Sequence, residues 1–445
     1  MDGISKSFGK LLCAIGAGAA LCGAPLPVVA GALPAADAVF APLDPEEVRL
    51  GWLLFYDPIL SGNQEVACAT CHHPRFATSD GLSLGIGDGG FGLGPERRTD
   101  PGNMPEQRIP RNSTALFNLG AEEFTVMFHD GRLEADPARP SGLRTPLEDE
   151  MVQGFASVLS AQTMFPVLSP DEMAGHYGEN EISVAVRQGL LTGEDGAWDR
   201  ISRRVAAVPE YRKYFDTVIG PDRPIGFTDI SNALAAFIAF EWRADDSDFD
   251  RHLRGEALLQ GAALDGMNLF YGAAGCAECH TGQFQTDHGF HAIAMPQIGP
   301  GKAARFETHA RDEGRLRVTG QQEDAYRFRT PSLRNVAQTG PYGHSGAYAR
   351  LEDVVRHHLD PVASLSAYDL SLARLPDLEG AEDDRVLVDA EEVSRIAQAN
   401  DLQPRALSDA EVTAILAFLG SLTDRTSLHG RLGVPDAVPS GRPVP

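Results

Sequence analysis

Two short stretches of the sequence place two cysteines and a histidine in the order Cys-x-x-Cys-His. The first is CATCHHPRF, from residue 68, and the second is CAECHTG, from residue 276. Two thiols three positions apart can add to the two vinyl groups of one haem, and the adjoining histidine then becomes the proximal iron ligand. The spacing therefore predicts two covalently attached c-type haems with His72 and His280 as proximal ligands. The attaching residues would be Cys68, Cys71, Cys276 and Cys279.

Zinc binding and thiol–disulfide exchange also use Cys-x-x-Cys pairs. A zinc site would combine both pairs, yet about 200 residues separate them where roughly 15 to 20 is usual. A thioredoxin-like motif would have a single pair within a βαβ pattern. Both alternatives fit the sequence less well than two haems do.

The sixth coordination position of each iron decides between electron storage and chemistry. Met295 follows His280 by only about 15 residues, a short loop to wrap around a haem edge. In LEDVVRHHL, residues 351–359, the apolar side chains define one helix face, which includes His358, whereas His357 points away from it. We therefore predict His358 as the sixth ligand of the second haem.

The N-terminal segment has the features of an export signal. Lys6 and Lys10 precede an apolar run, and small residues at Ala30 and Ala32 could precede a cleavage site. We predict a signal peptide over residues 1–32 and a periplasmic location. An uncleaved anchor is the alternative, but its prolines and glycines would make a poor membrane helix. No membrane span is expected after signal removal.

The charge balance limits the classes of partner. The chain has 38 basic and 62 acidic side chains, a formal net charge of −24. This excess argues against nucleic acid and against anionic lipid surfaces as partners. It would attract a basic protein partner, and it equally keeps an exported protein soluble.

The segments that must position the haem-attaching and haem-ligating residues are predicted to be mostly α-helical. Residues 44–47, Asp-Pro-Glu-Glu, are typical of a helix start, and Thr228 opens another helical pattern. Ser408 and Glu411 form a capping box before a third. Alternating strand patterns are scarce, and the glycine-rich residues 80–112 read as a loop.

Each half of the chain presents a helix, a Cys-x-x-Cys-His element and a long loop. This repetition predicts two helical domains, over residues 33–244 and 245–425, with a tail over 426–445. Residues 245–256 read as a polar connection between the halves. The acidic stretch 377–401 reads as a solvated insertion rather than a partner surface.

The order of the motifs resembles the bacterial di-haem cytochrome c peroxidase and MauG superfamily over nearly the whole mature chain. The matching stretches are LGWLLFYDPILSG, CATCHHPRFATSDGLSLGIGD, RNSTALFNLG, FHDGR, FDRHLRGE, GCAECHTG and FRTPSLRNVAQTGPYGHSGAYARLEDVVRHHLDP. The resemblance implies two α-helical cytochrome c-like domains, each with one c-type haem, whose haems face each other across a bound calcium ion. One haem would react with peroxide, and the other would accept electrons from small redox proteins.

Site residues follow from the resemblance position by position. His358 lies where the family has the sixth ligand of the electron-transfer haem, a methionine in peroxidases and a tyrosine in MauG. The stretch AQTMFPVLSPDEM resembles the one that supplies the distal glutamine and glutamate, which implies Gln162 and Glu172. Glu172 could instead be an ordinary acidic residue in the first turn of a helix after Pro170.

The resemblance also implies a calcium site. Its ligands would be the side chain of Asn112 and the backbone carbonyls of Thr339 and Pro341, with waters completing an oxygen shell.

The chain departs from the family at two positions. His129 replaces the tryptophan that relays electrons between the haems, so that direct tunnelling or another aromatic residue must serve. Asp88 replaces the removable distal histidine of typical peroxidases. The first haem should then be open to peroxide in the oxidised protein, unless Met104 of the same loop takes the position.

The sequence supports three hypotheses for the function of the protein. The leading hypothesis is an exported di-haem peroxidase that reduces hydrogen peroxide to water with electrons from a small cytochrome c or a cupredoxin. The alternatives are a MauG-like enzyme that uses peroxide to oxidise residues of a partner protein, and an electron carrier without a substrate. A homodimer is one possible assembly.

Overall fold

The computed structural model describes residues 32–303 and 307–445. The predicted signal peptide lies outside the described residues except for its last position. Within the described ranges, no helix is long and apolar enough to cross a bilayer.

Helices dominate the secondary structure, as predicted. They are α1 (Pro45–Tyr56), α2 (Cys68–Cys71), α3 (Val158–Gln162), α4 (Glu181–Arg187), α5 (Ala197–Ala206), α6 (Pro209–Ile219), α7 (Phe227–Glu241), α8 (Asp248–Leu253), α9 (Gly261–Phe270), α10 (Leu316–Thr319), α11 (Leu351–Leu359), α12 (Pro361–Ser366), α13 (Ala390–Gln398), α14 (Asp409–Ser421) and α15 (Arg425–His429). Long loops and short 3-10 turns connect them.

The strands are only two or three residues long and form small antiparallel sheets. Strand β1 pairs with β2, β4 lies between β3 and β5, and β6 pairs with β7. Their bounds are β1 (Gly90–Phe91), β2 (Arg98–Thr99), β3 (Val126–Met127), β4 (Leu133–Ala135), β5 (Leu143–Arg144), β6 (Phe290–His291) and β7 (Phe328–Arg329).

Capping explains where the predicted helices begin. Helix α1 begins after Asp44, whose carboxylate accepts a hydrogen bond from the Glu46 amide at 2.9 Å. Helix α14 begins after Ser408, with the predicted capping box to Glu411. Helix α7 begins at Phe227, one residue before Thr228, because the Asp229 carboxylate accepts a hydrogen bond from the amide of the N-cap residue Gly226.

The same helix crossing occurs once in each half. Helix α1 crosses α7 at Gly51, where an added Cβ would lie 1.8 Å from the Ala233 carbonyl oxygen. Helix α9 crosses α14 at Gly266, where a Cβ would lie 1.8 Å from the Ala414 carbonyl oxygen. Glycine is required at both crossings because the backbones touch. In each half, the helix with this glycine immediately precedes the Cys-x-x-Cys-His element.

Each helix pair anchors its own apolar core. The N-terminal core includes the fully buried side chains of Phe55, Tyr56, Tyr211, Phe215, Phe237 and Trp242. The core around α9 and α14 includes Phe249, Phe270, Phe418 and Leu422.

Two segments differ from their predicted character. Residues 245–256 are not merely a polar connection, because they contain α8, whose Asp250 is buried and forms an ion pair with Arg334 at 2.6 Å. The stretch 377–401 is not simply solvated either. It contains α13, which buries Glu392 and Ile396 against the body of the protein.

The C-terminal tail returns to the N-terminal half. The Trp52 indole donates a hydrogen bond to the Gly433 carbonyl at 2.6 Å, and the Ser440 hydroxyl donates to Asp57 at 2.6 Å. Val438 is buried in the N-terminal core. The tail therefore covers helix α1, which leads into the first Cys-x-x-Cys-His element.

Candidate haem and peroxide sites

The first Cys-x-x-Cys-His element is a single helical turn, α2, with His72 as its C-cap. The Nδ1 atom of His72 lies 3.0 Å from the Thr78 carbonyl oxygen and 3.3 Å from the Ser113 hydroxyl. A carbonyl can only accept, so Nδ1 carries the proton and the lone pair resides on Nε2. Iron-ligating histidines are oriented by such a hydrogen bond.

The second element repeats this arrangement. Cys276 begins a 3-10 turn, and the Nδ1 atom of His280 donates to the Gln285 carbonyl at 3.0 Å. The Nε2 atom of His280 is therefore also left with its lone pair. Both histidines thus have the tautomer that ligation of a haem iron would require.

The four cysteines of the two elements form no disulfide, and their surroundings raise the pKa values of their side chains. Burial raises the pKa of Cys68 and of Cys71 to about 12 and that of Cys276 to about 11. Thiols in such surroundings are poor thiolate donors for zinc. This fits thioether attachment better than a metal–thiolate site.

A cavity of about 330 Å³ lies beside His280, and His358 of α11 lines it. The two imidazole ring centroids are 6.4 Å apart. A metal held between two imidazole nitrogens, each bonded at about 2 Å, gives a centroid separation of roughly 6 Å. His358 donates from Nδ1 to the Val354 carbonyl at 2.7 Å, which leaves its Nε2 lone pair as well. The pair therefore fits an iron ligated on both faces.

The neighbouring residue, His357, uses both of its ring nitrogens in hydrogen bonds. His357 is buried, and its Nδ1 accepts a hydrogen bond from the Tyr348 hydroxyl at 2.9 Å while its Nε2 donates to the Ile293 carbonyl at 2.7 Å. Both nitrogens are occupied, so His357 has no lone pair for a metal. Met295 lines the same cavity but packs against Gly343.

The predicted peroxide residues lie on α3 and on the turn that follows it. Gln162 ends α3, and its Oε1 atom is buried without a hydrogen-bond partner among the described residues. Glu172 lies in a π-helical turn, and burial raises the pKa of its carboxyl group, against the lowering effect of Lys302 and then Arg132. An unpaired amide oxygen and a carboxyl group that is protonated unusually easily are features of a proton-handling site.

Lys302 was not among the residues selected from the sequence. Burial lowers the pKa of its ammonium group to about 8, and the nearby Glu172 carboxylate partly offsets this. Lys302 belongs to the C-terminal half, so nothing in the local pattern around Glu172 pointed to it. The Glu172 charge also raises the pKa of Cys71, so Glu172 lies near this thiol of the first Cys-x-x-Cys-His element.

The loop that carries Asp88 touches the Glu172 turn. A Cβ at Gly87 would lie 2.2 Å from the Asp171 carbonyl oxygen and 2.6 Å from that of Glu172. Asp88 is buried and accepts hydrogen bonds from Asn63 at 3.1 and 3.2 Å and from Asn103 at 3.3 Å. Its carboxylate is therefore engaged within the loop.

Met104, the other candidate for this position, is 40% exposed. A thioether ligand to a haem iron would be enclosed by the pocket, so the exposure of Met104 does not fit that role.

The three predicted calcium ligands line the cavity beside His280. The Asn112 amide nitrogen donates to the carbonyls of Leu82 and Ser83, which leaves its side-chain oxygen available. Among the described residues, the carbonyl oxygens of Thr339 and Pro341 accept no hydrogen bond. Three such oxygens fit a hard cation, although the set contains no carboxylate.

His129, at the position of the family's relay tryptophan, is partly buried and lines the same cavity. Burial, and then the charge of Arg111, lowers its pKa to about 4, so the ring is neutral near pH 7. Phe328 and His344 stack beside it with ring centroids 3.7 Å apart and nearly parallel planes. The wall between the two halves is therefore aromatic even without tryptophan.

Comparison with known proteins identifies the family. Residues 45–258 match the family model of the di-haem cytochrome c peroxidases. The methylamine utilization protein MauG of Methylorubrum extorquens is 32% identical over 322 residues, which cover 72% of this chain and 70% of that protein. The chain belongs to the di-haem cytochrome c peroxidase family. It is an oxidoreductase of the peroxidase type, and the family implies two c-type haems.

Two further relatives agree with this assignment. The cytochrome c551 peroxidase of Nitrosomonas europaea is 28% identical over 71% of this chain and 73% of its own length. The crystal structure of a MauG-like protein associated with microbial copper homeostasis shares 26% identity, with a TM-score of 0.54 over 91% of this chain and 96% of that chain.

Proposed function

We propose that this protein is an exported di-haem cytochrome c peroxidase that reduces hydrogen peroxide to water with electrons from a small cytochrome c or a cupredoxin. The observation that carries the proposal is the difference between the two histidine sites. His280 faces a second imidazole, that of His358, at 6.4 Å. Near Cys71, the residue before His72, lies by contrast the partly buried carboxyl group of Glu172.

This difference divides the work between the two halves. When bound, the two haems supply the redox chemistry, one as a reservoir of electrons and one as the site of peroxide reduction. His280 and His358 would both ligate the iron in the second half and leave no position for substrate. His72 would be the one histidine ligand in the first half, so that peroxide could bind there. We propose the two domains as residues 33–244 and 245–425, with 426–445 as the tail.

Proton transfer is the task of the chain itself. Cleavage of the peroxide O–O bond requires a proton to leave one oxygen and reach the other. We propose that the Glu172 carboxylate accepts this proton and returns it, while the Gln162 amide orients the peroxide. The Lys302 charge would lower the pKa of Glu172 and so favour the carboxylate form against the effect of burial.

Access to the first site would be permanent. Asp88 is already hydrogen-bonded to Asn63 and Asn103 and offers no imidazole. We therefore propose that peroxide reaches the first haem without prior reduction of the second. Calcium held by Asn112, Thr339 and Pro341 would tie the two halves together beside the second haem.

A MauG-like oxidation of a partner protein is the second candidate. It is favoured by the similarity to MauG and by the predicted open site. The replacement of the relay tryptophan by His129 weighs against it, because MauG-type chemistry shares oxidising equivalents between the haems. The Phe328–His344 stack is the aromatic pair that could carry electrons in either case.

Steady-state turnover and rapid mixing test the proposal together. We expect the oxidised holoprotein to show one high-spin and one low-spin haem in its low-temperature EPR spectrum. Stoichiometric peroxide should change the high-spin signal within the mixing experiment, and reduced small cytochrome c should be oxidised catalytically. Absence of cytochrome oxidation, with peroxide consumed only in the presence of an oxidisable protein partner, would favour the MauG-like alternative.

A further inference from the structure

A cluster of side chains that could bind a metal lies beside the predicted peroxide site and includes none of the proposed haem ligands. Ligand atoms of Asp88, His176 and Glu179 all lie within 4.8 Å of one another. Asp88 and His176 are buried, at 1% and 8% exposure, whereas Glu179 is exposed. Glu106 lies at the edge of the cluster, 3.9 Å from the Nδ1 atom of His176.

His176 is the group that points to a ligand. Among the described residues, neither of its ring nitrogens has a hydrogen-bond partner, although both are buried. A buried polar group without a partner costs roughly 1–3 kcal/mol, so such groups are rare unless something binds them. The carboxylates, by contrast, are held in place, because the Asn63 amide donates to Asp88 at 3.1 Å and to Glu179 at 2.8 Å.

We propose that Asp88, His176 and Glu179 bind a divalent first-row transition metal ion such as Zn²⁺. One imidazole and two carboxylates form a donor set that such ions prefer, whereas Ca²⁺ and Mg²⁺ prefer oxygen ligands alone. Donors in a tetrahedral zinc site lie about 3.4 Å apart. Closing the cluster therefore needs a movement of at most about 1.4 Å, to which the exposed Glu179 side chain can contribute.

The site would join two segments that both adjoin Glu172. Asp88 follows Gly87, whose backbone touches the Glu172 turn, and His176 and Glu179 follow that turn along the chain. A bound ion would fix these segments against each other at the edge of the peroxide site. This inference does not depend on the peroxidase proposal, because it concerns binding alone.

Zinc titration of the holoprotein tests the site. The protein, with both haems attached and with saturating Ca²⁺, would be freed of transition metals other than the haem iron and titrated calorimetrically with ZnCl₂. We expect one zinc per chain, and an affinity at least about tenfold weaker in Asp88→Asn and in His176→Gln. Zinc should also raise the melting temperature of the wild-type protein, and this rise should be lost in His176→Gln.

His309→Gln is the matched control, because His309 lies 3.8 Å from the carboxylate of Glu307 outside the cluster. Its zinc affinity should equal that of the wild-type protein. Glu179→Gln, at an exposed position, serves if either buried variant fails to retain both haems. Equal zinc affinity in the wild-type protein and in the cluster variants, or no zinc binding at all, would overturn the proposal.

Discussion

Two adjacent histidines of α11 differ because of what their ring nitrogens contact. His357 uses both nitrogens in hydrogen bonds, to Tyr348 and to the Ile293 carbonyl. His358 uses only Nδ1, for a hydrogen bond to Val354 one turn earlier. At the scale of single residues, hydrogen-bond occupancy therefore separates a structural histidine from a candidate ligand on the same helix.

Replacing His358 with glycine should convert the low-spin haem to a high-spin one, because one axial imidazole is lost. His357→Gln is the control and should retain the low-spin signal, since His357 has no free lone pair. Low-temperature EPR of the oxidised holoproteins measures the haem spin states of both variants. A low-spin signal that survives in His358→Gly would assign the position to another residue, with Met295 the nearest candidate.

Glu172→Gln should lower peroxide turnover by about 10²- to 10⁴-fold, the usual contribution of a positioned acid or base. The isosteric amide cannot accept the peroxide proton, while haem attachment and spin states should remain. Asp171→Asn is the control, because Asp171 contacts Gln107 at 2.8 Å instead. Equal losses in the two variants would mean that the turn, and not the Glu172 carboxylate, matters.

Lys302→Met should shift the pH dependence of turnover. Burial raises the pKa of Glu172 and the Lys302 charge lowers it, so loss of that charge raises it further. Proton acceptance requires the carboxylate, so kcat/KM should rise with pH through this pKa, and the rise should move to higher pH in the variant. The exposed Lys213→Met is the control. An unchanged pH profile in Lys302→Met would remove Lys302 from the proton chemistry.

At the scale of elements, one close helix crossing in each half sets the orientation of the following haem-attachment turn. Gly266→Ala should force α9 and α14 apart, because the new Cβ would lie 1.8 Å from the Ala414 carbonyl oxygen. Overpacking of this kind typically costs about 1–3 kcal/mol. Thermal unfolding of the holoprotein measures this loss of stability.

Gly420→Ala in α14 is a control of the same chemistry. A Cβ there meets no atom within 4 Å, and alanine stabilises a helix relative to glycine. Its melting temperature should be equal to or above that of the wild-type protein. If Gly266→Ala were equally harmless, the crossing would tolerate separation and would not fix the haem-attachment turn.

Local signals explain which elements could be predicted from the sequence. The caps at Asp44 and Ser408 contact amides only two or three residues away, so the starts of α1 and α14 were visible in the sequence. Helix α8 was missed because the burial of Asp250 depends on Arg334, 84 residues later. The buried Glu392 of α13 likewise accepts a hydrogen bond from Tyr326, which lies in a distant segment of the chain.

The same distinction applies to the candidate sites. His72, His280 and His358 stand in short motifs or on one face of one helix, so their types and spacing were sufficient to select them. Lys302 and His176 are single residues without a local pattern. They acquire chemical significance only because the fold brings them to Glu172 and Asp88, respectively.

At the scale of the whole molecule, buried ion pairs connect the two halves. Arg111 of the N-terminal half lies 2.7 Å from Asp130 and 2.6 Å from Asp312, which belongs to the C-terminal half. Arg108 similarly contacts Asp383 at 2.9 Å. Arg111 also lies against the Phe328 ring, so this network adjoins the aromatic wall between the haem sites.

Asp312→Asn should destabilise the protein, because it leaves the buried guanidinium of Arg111 with Asp130 as the remaining charged partner in this network. Breaking a buried pair costs roughly 3–5 kcal/mol.

The wild-type protein should also lose stability in acid. Burial opposes ionisation, but Arg111 lowers the pKa of Asp130 to about 2 and holds that of Asp312 well below its usual range.

Carboxylates with lowered pKa values stabilise the folded state above their unfolded pKa of about 4, and this stabilisation is lost as the pH falls towards the folded value. The melting temperature of the wild-type holoprotein should therefore fall steeply between about pH 4 and pH 2, and that of Asp312→Asn less steeply from a lower starting point. Asp195→Asn, which breaks only the exposed pair with Arg203, should follow the wild-type curve. Parallel curves for Asp312→Asn and the wild-type protein would show that the Arg111 network does not govern the acid stability of the interface between the halves.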